Sequence, residues 1–214
     1  MRNERAKRGP YAKTRVRRAA IAAAALSLVN ESGDTGVGIA EVAERTGMTE
    51  ATVAYHFPTR DHLLVAALEE ADEVNRRVFE GTGGQDMDLA EVVASLADTS
   101  ASHPHRMRLY TSQAANAADP DHPAHAWFKN HQEGTRAYFS WMMRRDQAMG
   151  RAHAEVDPDQ FARQMIALWD GLQMQKLADP SLDLPAQVTD AYRRLARMDL
   201  MQARRALETL AAEL

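Results

Sequence analysis

Apolar residues recur along most of this chain at spacings of three and four, the period of helices that bury one face. From Lys13 onward, Val16, Ala20, Ile21, Ala24 and Leu28 mark the first such stripe, and Gly33 ends it near Glu31. Thr35 opens a second, short helix with Ile39, Val42 and Ala43 inward, closed at Gly47. A third runs from Thr49, an N-cap residue type, to His56 with Val53 inward. Pro58 breaks it, because a proline disfavours helix at the residue before it. A longer helix follows from Arg60 or Asp61, with Leu63, Leu64, Ala67, Leu68 and Ala71 on one face and an end by Gly81, Gly83 and Gly84. Proline and glycine boundaries then place helices at about 88–101, 104–118, 123–149, 158–178 and 185–213. Period-two alternation is absent and alanine is abundant, so the pattern predicts an all-α protein of about nine helices. It divides into a flexible basic arm (1–12), a three-helix head (13–59) and a larger helical body (60–214).

Composition narrows the chemistry. Of 214 residues 45% are hydrophobic and 26% charged, enough to pack a core. The absence of cysteine removes disulfides, thiolate zinc sites and cysteine nucleophiles, and fits a chain with no need of an oxidising compartment. No apolar run approaches the roughly 20 residues that span a bilayer, so no membrane partner is expected. Ala19–Leu26, preceded by arginines, has the look of a short signal peptide. It leads directly into the paired short helices, and so reads as a helix of a cytoplasmic protein. Charge is polarised along the chain. Residues 1–60 hold 10 Lys+Arg against 6 Asp+Glu, a net +4, and residues 61–214 hold 16 against 24, a net −8. A basic head on an acidic body implies that only the head meets a polyanion.

The segment IAEVAERTGMTEATVAYHF, Ile39 to Phe57, holds two short helices joined by a tight turn at Gly47, where a left-handed backbone is needed. That is the outline of a helix-turn-helix, whose second helix enters the DNA major groove by its N-terminal end. A pair of ordinary core helices would share the outline, but here Arg2, Arg5, Lys7, Arg8, Lys13, Arg15, Arg17 and Arg18 lie just before it. The string VAERTGMTEATVAYHFPTRDHLL also resembles the signature of the TetR family of transcriptional regulators, with Val42, Ala43, Gly47, Met48, Thr49, Thr52, Val53, His56, Phe57, Arg60, Leu63 and Leu64 in corresponding places. DPDHPAHAWF (residues 119–128) and WDGLQMQKLADPSLDLP (residues 169–185) resemble stretches of the family's body, so the likeness covers most of the chain.

The resemblance and the residue chemistry together name Lys13, Arg17, Thr49, Glu50, Ala51, Thr52, Tyr55, His56 and Arg60 as candidate DNA contacts. Thr49 caps the reading helix and leaves its amides toward a phosphate. Thr52 matches a position that touches base or phosphate, His56 one that touches phosphate with core burial as the alternative, and Arg60 one that favours lysine. Ala54 departs from the family's tyrosine, and Tyr55 beside it offers a hydroxyl instead. Glu50 is unusual in repelling phosphate, although a carboxylate accepts from cytosine N4.

For the body, the resemblance implies an apolar ligand pocket. Met107, Tyr110, Gln113, Trp127, Phe128, His131, Tyr138, Met142, Met165, Trp169 and Gln173 are its candidates, with plain core packing as the alternative. It also implies a dimer through the last two helices, for which Phe161, Leu168, Leu172, Gln175, Leu195, Met198 and Met201 have the spacing. Two reading helices one DNA turn apart then require a palindromic operator. His122 and His125 with Asp121 lack a third ligand in register, and no phosphate loop or nucleophile elbow appears, so neither metal, cofactor nor catalysis is expected. The resulting expectation is a ligand-responsive regulator that binds double-stranded operator DNA as a homodimer and is released by a small molecule. The alternative is a helical small-molecule-binding protein or enzyme whose head no longer reads DNA.

Overall fold

The computed structural model describes residues 9–81 and 89–212. Among these it shows ten α-helices, a single 3₁₀ turn (Asp34–Gly36) and no strand. The helices are α1 (Gly9–Ser32), α2 (Ile39–Thr46), α3 (Glu50–His56), α4 (Arg60–Gly81), α5 (Leu89–Ala101), α6 (Pro104–Asn116), α7 (Ala124–Ala148), α8 (Pro158–Ala178), α9 (Leu184–Leu195) and α10 (Met198–Ala212). Two compact units divide the chain, one of residues 1–82 and 108–127, the other of residues 83–107 and 128–214.

In the first unit α1 starts four residues before the expected Lys13. Pro10 sits in its first turn, where the missing N–H would have had no helical partner. Residues 1–8 of the predicted arm, and Gly83 and Gly84 of the predicted connection, lie outside the described residues. Ile21, Ala25 and Val29 of α1 and Leu63, Leu64, Ala67, Leu68 and Ala71 of α4 are buried where the two helices pack. The sequence boundary at 59/60 therefore runs through this unit, and α4 shares the core of the head. Gly33 ends α1 at φ 77°, ψ −175°, a backbone region open essentially to glycine alone, and donates its N–H to Val29 O at 2.9 Å. The second short helix begins at Ile39 and not at Thr35, because residues 34–36 close a 3₁₀ turn first.

The second unit is organised around a buried carboxylate. Asp146 near the end of α7 is fully buried and accepts from the Tyr192 hydroxyl of α9 and from Arg151 Nε at 2.7 Å. Phe161 of α8 meets the Tyr192 ring edge to face at 5.5 Å. Gln147 Nε2 donates to the carbonyls of His153, Ala154 and Val156, which fixes the loop between α7 and α8. That loop breaks the final helix. In one continuous helix over 185–213, the Ala196 carbonyl would accept from residue 200; here it accepts from His153 N at 3.1 Å, and Arg197 turns to φ 52°. The expected last helix is thus two, α9 and α10, and every residue of α10 from Gln202 to Ala211 is exposed.

Candidate nucleic-acid interface

The turn before α3 is coded locally. Gly47 takes φ 66°, ψ 23°, Met48 N donates to Ala43 O at 3.0 Å and Gly47 N to Glu44 O at 3.3 Å. This pair of bonds closes the α2 carboxyl end around a left-handed residue. Thr49 is extended, and its hydroxyl accepts from Thr52 N at 3.2 Å, the N-cap that the sequence predicts. The same hydroxyl lies 2.8 Å from that of Thr52, so the two threonines are paired across the first turn. Val53 and His56 face inward, while Glu50 and Ala51 are exposed and Thr52 and Ala54 half-buried. Tyr55 is 82% exposed. Such a tyrosine on a seven-residue capped helix presents a hydroxyl and an aromatic face outward.

The predicted contacts separate on this geometry. Lys13 and Arg17 stand exposed one turn apart on α1. Thr49, Glu50, Ala51, Thr52 and Tyr55 share the outer side and the leading end of α3. His56 does not join them: it is only 9% exposed and its ring packs edge to face with Tyr55 at 5.2 Å. Burial first, then the charges of Arg18 and Arg17, push its pKa below the usual histidine value, so the imidazole is neutral at pH 7. Arg60 is turned to its own backbone, with Nε donating to Val37 O at 3.0 Å and Nη2 to Asp34 O, so it clamps the 3₁₀ turn to the start of α4.

Sequence reading passed over two supports of the head, one at α3 and one between α2 and α1. Arg18, counted there among the basic residues before the motif, donates from Nη1 to His56 O at 2.8 Å and lays its guanidinium 4.4 Å from the Phe57 ring centre. It satisfies a terminal carbonyl of α3 and stacks on the aromatic behind it. Arg45 of α2 grips Glu31 of α1 with two hydrogen bonds of 2.7 Å and donates to Ser27 at 3.0 Å. Its hydrogen bonds, followed by that of Ser27, hold the Glu31 carboxyl down at about 2. Neither pair has a local signal, since both join residues far apart in sequence.

The candidate pocket residues fall in both units. Tyr110, Gln113 and Trp127 belong to the first; Met107, Phe128, His131, Tyr138, Met142, Met165, Trp169 and Gln173 belong to the second. Met107, Met142, Met165 and Gln173 are buried, Phe128 and His131 half-buried, and Tyr138 stacks on Trp141 while Trp169 meets Phe139. A concavity of about 390 Å³ in the second unit is lined by Ala94, by the α9 cap Asp183 and by residues along α9, among them Thr189, Asp190 and Arg193, none of them predicted. Of the candidate dimer residues, Phe161 and Met198 are 1% and 5% exposed and serve their own unit's core. Leu168 and Gln175 are exposed, Leu172, Leu195 and Met201 half-buried. Other exposed apolar residues of α8 and α10 are Met174, Leu200, Leu207 and Leu210. His122 Nδ1 accepts from Ala124 N and His125 Nδ1 bonds Ala117 O, so both rings are engaged in the turn before α7. No helix among the described residues is long and apolar enough to cross a membrane.

Comparison with known proteins bears on the head first. Residues 21–67 match the family model described as bacterial regulatory proteins, tetR family. No curated protein matched the sequence. Among solved structures, a Rhodococcus protein described as a TetR-family transcriptional regulator is 20% identical, with a TM-score of 0.67 over 84% of this chain and 98% of that one. Thermus thermophilus FadR, a TetR-family transcriptional repressor in complex with lauroyl-CoA, is 18% identical with a TM-score of 0.62 over 83% of this chain and 92% of that one. A Saccharomonospora viridis protein described as a transcriptional regulator, in complex with choline, is 19% identical with a TM-score of 0.64 over 84% and 95%. The head thus matches the tetR-family regulatory model over residues 21–67, and the chain as a whole has the fold of these TetR-family structures.

Proposed function

We propose that this protein is a ligand-responsive transcriptional repressor that binds a palindromic operator as a homodimer in the cytoplasm and is released by a small molecule. The observation that carries the reading is the capped seven-residue α3, which turns Glu50, Ala51, Thr52 and Tyr55 outward while Val53, His56 and Phe57 anchor it. Lys13 and Arg17 would add phosphate contacts that position the head without reading sequence. Neighbours of the same fold hold lauroyl-CoA and choline, which supports a small-molecule effector here. The exposed leucines of α10, with Leu168 and Met174 of α8, offer the apolar surface for a second copy.

Selection of bound fragments from random duplex DNA tests the reading. The retained sequences should share two inverted half-sites. Tyr55→Ala should weaken retention at least tenfold with helicity unchanged. Lys13→Ala with Arg17→Ala should weaken all sequences alike and, with two cations lost from each of the two heads, flatten the salt dependence by about four in log–log slope. A purified protein that retains no DNA at low salt would leave a helical ligand-binding protein with an inactive head.

A further inference from the structure

Within the first unit, three helices bring together a set of electron-rich groups. Trp127 in the first turn of α7 meets Tyr110 of α6 with ring centres 5.9 Å apart and planes at 83°, so the two rings form a right-angled corner. The indole Nε1 donates to Asp72 Oδ2 of α4 at 3.2 Å, which pins the tryptophan and sets a carboxylate at the rim of that corner. Gln113 lies one turn beyond Tyr110 on the same face of α6 and is only 3% exposed. Its Oε1 has no hydrogen-bond partner among the described residues. Buried acceptors are nearly always satisfied in folded proteins, so this one marks a place where a donor from outside the chain belongs.

Two aromatic rings, a carboxylate and an amide carbonyl attract the same kind of guest. A ring's quadrupole draws a cation to its face, a carboxylate supplies the counter-charge, and both disfavour an anion. We propose that Asp72, Tyr110, Trp127 and Gln113 form a site for an organic ammonium, a substituted amine whose hydroxyl or N–H donates to Gln113. The site deepens the proposed function by giving the chemical class of the effector, and its regulatory meaning rests on that reading. Because Asp72 is part of α4, the helix whose Arg60 clamps the turn before α2, the guest would bind to an element of the head's own core.

Calorimetry and the Trp127 indole N–H signal, assigned with Trp127→Phe, provide the test on the full chain. Choline should bind once per chain and shift that signal. 3,3-Dimethylbutan-1-ol, its neutral isostere, should bind at least tenfold more weakly, and laurate should leave the signal in place. Asp72→Asn should lower choline affinity at least tenfold with the helical circular dichroism retained. Should that variant fail to fold, the choline-to-isostere ratio in the wild type decides alone. Equal binding of the neutral isostere, preference for laurate, or no choline-dependent shift would each overturn the proposal. DNA retention in the same samples separates the two readings. Choline binding with no effect on retained DNA keeps the site and removes its regulatory role, whereas a protein that never retains DNA counts against the regulator alone.

Discussion

The turn at Gly47 and the break at Arg197 place the backbone in the same left-handed region, φ 66° and 52°, for opposite reasons. At Gly47 the sequence supplies the residue that tolerates it, Thr49 caps the next helix two residues on, and a Cβ there would meet nothing within 4 Å. At Arg197 the residue resists the conformation and the surroundings impose it, because His153 N takes the carbonyl that would have carried the helix onward. The reading head is shaped by its own local chemistry. The end of the body is shaped by packing.

The largest way to break that contrast is to remove what holds the imposing loop. Asp146→Ala would leave the Arg151 guanidinium and the Tyr192 hydroxyl without their acceptor, at a cost of about 3–5 kcal/mol by comparison with broken buried pairs. Urea unfolding followed by circular dichroism should show a clear fall in midpoint. An unchanged midpoint would mean that the network does not support the second unit.

Gly47→Ala comes next. With space for the methyl, backbone strain is what remains, about 1 kcal/mol after the lower unfolded-chain entropy of alanine is counted. It should reduce DNA retention as well as stability, since the turn aims α3. Arg197→Gly should have the opposite sign and a smaller size, about 0.5 kcal/mol of stabilisation, because glycine relieves the strain but adds unfolded-state freedom. Thermal midpoints of the two variants compare them directly. Two losses would mean that Arg197 makes contacts outweighing its strain.

The smallest effect is one of pH. The Glu31 carboxyl is held from 4.5 down to about 2 by Arg45 and Ser27. A depressed carboxyl contributes stability that is present above its unfolded value and is lost as pH falls through its folded one, here between about 4.5 and about 2. The bridge is exposed and salt screens it, so the contribution is modest. Glu31→Gln should lower the thermal midpoint slightly at pH 7, by the whole of that modest contribution, and converge on the wild type toward pH 2, which flattens the loss across the window; equal slopes would show that the bridge contributes nothing.

The same contrast explains what the sequence could tell. Gly47, Thr49 and Pro58 fix the limits of α3 because each acts on its immediate neighbours. The split of the last helix carries no such mark: Ala196 and Arg197 are ordinary helix formers, and the loop that interrupts them lies some forty positions earlier in the chain (His153 to Ala196). Helical spacing told that Phe161 and Met198 point to an apolar partner, but not that the partner lies in their own unit. Arg18 and Arg60 look like free cations in the sequence because a carbonyl acceptor leaves no trace in residue type.

The brevity of α3 sets an upper bound on what one head can know about DNA. Seven residues make a rod about 10 Å long, which spans about three base pairs at 3.4 Å each. The major groove distinguishes four base pairs, about two bits per position, so a helix that read every pair it touched would collect about six bits. A random sequence matches such a message about once in 64 positions, against about a million or more competing positions in a genome. The address of a single gene therefore cannot be written in α3 alone, and several such short words must be read at once.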